Sequence, residues 1–222
     1  VERIQETPTV TLQERWARLV GGSSDATATA VGDDLIDRYS QPHRRYHATG
    51  HLLAVLTLVD DLADDAEDAD AVRFAAWFHD AVYDPARADN EERSARLAER
   101  ALPEAGVAAP LVAEAARLVR VTAEHSPMAG DLNAAVLCDA DLAILGTDRA
   151  TYERYAAAVR EEYSFVPDEA FRPARAAVLR DLLSLPKLFH TETGFTRYEN
   201  PARANLRAEL ESLESTPPHS RG

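Results

Sequence analysis

The chain of 222 residues is 45% hydrophobic and 28% charged, with a formal net charge of −14. That composition is globular, and the acidic excess argues against nucleic acid or anionic membranes as partners, because both are bound through clustered Lys and Arg. No apolar run approaches the roughly 20 residues that cross a bilayer. The opening "VERIQETPTVTLQERW" lacks the basic start and apolar core of a signal peptide, and the lone Cys138 permits no internal disulfide, so a cytoplasmic protein is expected.

Helical signals run along the chain. In "TVTLQERWARLVGG", Thr11 with Glu14 three residues on makes a capping box, Leu12, Trp16, Leu19 and Val20 share one face, and Gly21-Gly22 ends the helix. Helix-period stretches follow at about 27–39, 47–64, 70–83, 90–102, 108–124, 131–146 and 148–163. Pro167 and Pro173 bracket a short piece, "ARAAVLRDLLSL" reads as a helix closed by Pro186, and a last helix covers about 201–214. "SQPHRR", "YDPARADNEE" and "HSPMAGD" read as loops. No useful period-two alternation, internal repeat or Gly/Ser linker interrupts the pattern. The expectation is an all-α fold with a single helical bundle over 1–214 and a disordered tail over 215–222, in which His219 has no role.

Several polar residues do not fit a solvated helix face. His47 and His51 in "RRYHATGHLLAVL" are four apart, which on a helix aims both from one side; that spacing serves a shared metal or arises by coincidence. In "AAWFHDAVYDP", His79 and Asp80 lie among Phe74, Trp77, Phe78 and Val82. Burying an unpaired carboxylate there is costly, and a cation offsets the cost; the alternative is a helix terminus bonded to backbone. Asp139 and Asp141 sit in another apolar stretch, "VLCDADLAILG". Mixed imidazole and carboxylate donors suit divalent Mn, Fe, Co, Ni or Zn and tolerate Mg, so a divalent metal ion is the expected cofactor.

The order His51, His79-Asp80, Asp141 resembles the HD superfamily of metal-dependent phosphohydrolases, named for the doublet. The stretches "YHATGHLLAVL", "AAWFHDAVYDP", "DNEERSARLAERAL", "DADLAILG" and "ARANLRAEL" are similar to a bacterial subgroup of predicted phosphohydrolases of that superfamily, over about residues 10–214. The resemblance implies an HD-type helical bundle in which His51, His79, Asp80 and Asp141 hold the principal metal. Asp141 is preferred to Asp139 because "ADL" matches the family's last aspartate, which leaves Asp139 to orient a histidine ring or to bond backbone. His47 matches the histidine that protonates the leaving oxygen in related cyclic-nucleotide phosphodiesterases, a transfer suited to an imidazole near neutrality. Relatives commonly carry Asn next, where this chain has Ala48.

Glu91 falls where some HD proteins have a ligand for a second metal, and His125 lies near another; both have plain alternatives at helix ends, where their charges suit the dipole. Arg44, Arg45, the sole lysine Lys187, Arg203 and Asn205 are candidates for phosphate contact, Arg45, Lys187 and Arg203 foremost. The implied activity is hydrolysis of a small phosphate ester or anhydride, a nucleotide among the candidates. A metal would acidify the attacking water and polarise the phosphoryl oxygen, Asp80 would orient or deprotonate that water, and His47 would protonate the alkoxide. The alternatives are a di-iron oxygenase on the same fold, which needs a complete second site, and a metal-binding regulatory module without turnover.

Overall fold

The computed structural model describes residues 8–21 and 25–215. Gly22, His219 and the expected tail beyond Ser215 lie outside the described residues. Among the described residues there are ten α-helices and no strand: α1 (Pro8–Leu19), α2 (Ala26–Tyr39), α3 (Thr49–Asp61), α4 (Ala69–Phe78), α5 (Asn90–Glu104), α6 (Ala109–Val121), α7 (Leu132–Leu142), α8 (Arg149–Glu162), α9 (Asp168–Ser184) and α10 (Glu192–Ser215). The fold is all-α. Its contacts divide it into two compact units, 1–140 and 141–222, and the division falls in the last turn of α7.

In the first unit α4 is the central rod, packed on α1, α3, α5 and α6. Its sequence explains this: Ala71, Val72 and the unbroken run Phe74–Phe78 are all buried, so the helix needs neighbours on most of its surface, and Asp70 and Arg73 give it an ion-paired face. Trp16 of α1 sets its ring edge-on to Trp77 and Phe74, at centroid distances of 5.3 and 6.1 Å, and its indole N–H donates to the Ala28 carbonyl at 2.7 Å. Gly32 of α2 makes that approach possible, for a Cβ there would lie 2.3 Å from Trp16 Cδ1. Asp25 caps α2 by accepting from the Thr27 N–H at 2.9 Å.

Several expected boundaries move, three of them in this unit with consequences for the site or the core. α1 begins at Pro8, so Thr11 sits inside the helix and does not cap it, although Leu12 and Trp16 are buried as their spacing implies. α3 begins at Thr49, after Ala48 in an extended conformation, which leaves His47 in the preceding turn and not on the helix. α4 stops at Phe78, five residues before the expected end at 83, and this shift shapes the site described below.

In the second unit, Leu145, Tyr152, Leu179, Leu188, Phe189, Ala202 and Leu206 form the buried core. α9 runs through Pro173 and α10 through Pro201, where helices were expected to start. An interior proline forfeits one backbone bond and about 3 kcal/mol, so the turns before each proline need other anchors. For α10 one anchor is Glu199, whose buried carboxylate accepts from the Leu188 and Phe189 N–H groups at 2.9 and 3.1 Å and from Arg203 Nε at 2.6 Å. Asn205 adds two bonds of 2.9 Å to the carbonyls of Leu145 and Thr147.

Candidate metal site

The site starts from the way α4 ends. His79 keeps right-handed helical dihedrals, and its N–H donates to the Ala75 carbonyl at 2.8 Å. One residue on, the pattern changes hands. The Ala76 carbonyl, which the Asp80 N–H would meet in a continuing helix, is paired with His79 Nδ1 at 2.7 Å, while the Asp80 N–H donates to the Tyr39 hydroxyl at 3.2 Å. The imidazole thus accepts the role of closing its own helix. Nδ1–H donating to a carbonyl directs the Nε2 lone pair away from the backbone, the tautomer that ligates a metal.

His51, in the first turn of α3, meets that lone pair. The two Nε2 atoms are 3.1 Å apart, and both residues are buried, at 7% and 1% exposure. Asp80 Oδ2 lies 3.2 Å from His79 Nε2 and 3.5 Å from His51 Nε2. Asp141, half-buried on α7, completes a group with the two histidines in which one donor atom of each lies within 4.8 Å of the others. The helix carrying it belongs to the first unit in all its earlier turns.

These spacings match a coordination shell. Donors roughly 2.1 Å from one cation stand about 3.0 Å apart along the edges of an octahedron and about 3.4 Å along those of a tetrahedron. The distances of 3.1, 3.2 and 3.5 Å cover that range. Two nitrogens and carboxylate oxygens are donors that divalent transition metals accept. Burial alone would raise the Asp80 carboxyl, but the charges that His79 and His47 carry when protonated, with hydrogen bonds from His51 and His79, outweigh it and hold the group well below its ordinary range. A bound cation would stand in for those protons. The site therefore favours the carboxylate, the form a cation needs.

His47 stands beside this cluster in the turn before α3, its ring stacked on Tyr83 at 4.3 Å and edge-on to Tyr46 and His51 at 4.9 and 5.9 Å. It reaches the neighbourhood of His51 from a turn, so the expected helical spacing of the two is not the cause of their proximity. Asp139, fully buried on α7, is not in the compact group formed with Asp141. Glu91 lies in the first turn of α5 and His125 just past α6, where its backbone is left-handed (φ 47°) and its N–H returns to the Val121 carbonyl at 3.0 Å. Among the described residues these two form no second donor group of the same kind.

The basic candidates separate clearly. Arg45 and Lys187 are exposed. Arg203 spends its guanidinium on the chain itself, on Glu199 and on the Leu183 and Leu185 carbonyls at 3.0 and 2.7 Å. Arg44, by contrast, is buried at 4% exposure. Its Nη1 donates to the carbonyls of His47 and Asp80 at 2.9 and 2.7 Å, and its Nη2 to that of Ala81 at 3.2 Å. Further on, Ser94 exchanges two bonds with the backbone of Val82, and Asn90 does the same with Asp84. Sequence reasoning missed Tyr39, Ser94 and Asn90 altogether. The available signal was the polar Ser94 and Asn90 on the apolar face of α5, which only a buried backbone partner explains.

Among the described residues, no helix is long and apolar enough to cross a membrane. No protein-family model, curated protein or solved structure matches the chain.

Proposed function

We propose that this chain is a metal-dependent hydrolase of phosphate esters or anhydrides, akin to the HD-type phosphohydrolases it resembles in sequence. One observation carries the reading: two imidazole Nε2 atoms face each other at 3.1 Å, with a carboxylate from the next residue and another from α7 closing on them. Donors grouped this closely, with both imidazoles buried, suit a shared cation. When bound, a divalent ion supplies Lewis acidity toward a phosphoryl oxygen and an acidified water.

The chain's own groups then have separable tasks. His51, His79 and Asp141, with Asp80 beside them, would hold the ion. Asp80, with its carboxylate against both histidines, orients the attacking water or takes its proton. His47, held against Tyr83 at the edge of the cluster, donates a proton to the departing oxygen. The substrate is a small anionic phosphate compound, and nucleotides are first to be tried.

The test is elemental analysis of the purified protein joined to a panel of nucleotides, phosphomonoesters and phosphodiesters assayed with Mn²⁺, Mg²⁺, Co²⁺, Ni²⁺, Fe²⁺ and Zn²⁺. Stoichiometric metal with phosphate release from one class is the expected result. Stoichiometric metal with no turnover on the whole panel would replace the enzyme by a metal-holding module.

A further inference from the structure

The turn before α3 and the loop after α4 meet on a single side chain. One nitrogen, Arg44 Nη1, binds both the His47 carbonyl at 2.9 Å and the Asp80 carbonyl at 2.7 Å, so these two carbonyls can stand no farther apart than two hydrogen-bond lengths. Nη2 extends the grip to Ala81 at 3.2 Å. The guanidinium carbon lies 5.1 Å from the Tyr39 ring centre and 5.4 Å from that of Tyr83. These two tyrosines are themselves tied to the site, Tyr39 by accepting the Asp80 N–H and Tyr83 by stacking on His47.

We propose that Arg44 is the positioning residue of the metal site, fixing Asp80 and His47 relative to each other by holding both backbones on one buried guanidinium. The chemistry calls for arginine. Three carbonyls in two chain segments need several N–H donors in a rigid plane, and a flat, weakly hydrated cation beside aromatic rings. A lysine ammonium is a point charge on a flexible stem that meets neither need. The neighbouring Arg45 is exposed, so burial separates the two cations of a single dipeptide. The inference rests on the proposed metal site but not on any phosphatase activity.

The experiment titrates Co²⁺ into the full chain and follows visible absorption, which reports affinity and coordination geometry without turnover. Arg44→Lys keeps charge and approximate bulk; it should retain the helical circular dichroism while Co²⁺ affinity falls roughly 10–100-fold, as when a group supporting a metal ligand is lost. Arg44→Ala should bind more weakly still and regain affinity when guanidinium chloride is added below denaturing concentrations. Should Arg44→Ala fail to fold, the Arg44→Lys comparison decides alone. Wild-type affinity and spectrum in a folded Arg44→Lys would overturn the positioning role and leave the metal site standing. No Co²⁺ uptake by the wild-type chain would instead remove the metal reading, and this inference with it.

Discussion

His51 and His79 stand 28 positions apart in the chain, yet their Nε2 atoms are 3.1 Å from each other. At that distance two imidazoles share either a proton or a cation. A shared proton would bond one pair; in the proposed site a cation would be shared by both imidazoles and by the carboxylates of Asp80 and Asp141. His79→Ala and Asp80→Ala should therefore each strip tightly bound metal from the purified protein. Asp141→Asn should do likewise, whereas Asp139→Asn should weaken binding by no more than the roughly 10–100-fold expected of a supporting residue. Plasma emission measurements of metal per chain distinguish these outcomes, and full stoichiometry in His79→Ala would end the ligand assignment.

His47 lies next to the cluster without belonging to the donor group, so its loss should spare the metal. As a proton donor it matters most where the departing oxygen is basic. His47→Ala should lower kcat for an alkyl phosphate by roughly 10²–10⁴-fold, the usual worth of general acid catalysis. p-Nitrophenyl phosphate, whose leaving group needs no proton, should lose far less. Equal losses for the two substrates would assign His47 to binding or packing.

The all-α class and the apolar stripe of α1 were legible because hydrophobic period and burial coincide there: Leu12 and Trp16 are both in the core. The doublet at 79–80 was legible as an anomaly, polar groups in an apolar run. The alternative of a helix terminus bonded to backbone is met in part, for α4 ends here with the His79 ring on the Ala76 carbonyl. What the sequence could not display was the partner of the Asp80 N–H, which is Tyr39, remote in sequence. Arg44 was hidden for a related reason. In "PHRRY" nothing local distinguishes a buried arginine from its exposed neighbour, since the carbonyls that hold it come from another loop. Pro173 and Pro201 misled in the opposite direction, because a local breaking rule was overridden by anchors such as Glu199.

Gly32 offers a packing test in which two effects oppose. A helical Gly→Ala change favours the helix by about 1 kcal/mol. Here the new methyl would stand 2.3 Å from Trp16 Cδ1, and the indole is held by its bond to Ala28 and by Trp77 and Phe74. Overpacking of about 1–3 kcal/mol or more should win. Urea unfolding should show Gly32→Ala less stable than wild type, with altered tryptophan fluorescence; a more stable variant would mean that α1 moves aside freely.

Acid stability should depend on Arg117. Its guanidinium pairs with Glu114 and Asp131, each at 2.8 Å or less, and these bonds hold both carboxyls below their ordinary range. Groups depressed on folding contribute stability that is present above their unfolded values, near pH 4, and is lost as pH falls through the folded values. Urea midpoints of wild type and Arg117→Met should thus differ at pH 7 and converge as the pH drops below about 4. A gap of constant size down to pH 2 would show that Arg117 acts through packing of its stem.

Ala48 occupies the N-cap of α3, with extended dihedrals (φ −117°, ψ −176°) and no side-chain bond to the first turn. Asn at this position has a side-chain oxygen that accepts from the second or third N–H of a helix. The third residue of α3 is His51, so the uncapped turn carries one of the residues proposed to hold the metal. Ala48→Asn should raise stability by about 0.5–2 kcal/mol, read as a higher urea midpoint with an unchanged slope. Because the change firms the turn without adding a ligand, metal stoichiometry should stay the same while affinity holds or rises. An unstable Ala48→Asn variant would mean that the space around the turn, close to Tyr46 and His47, admits no side chain longer than a methyl.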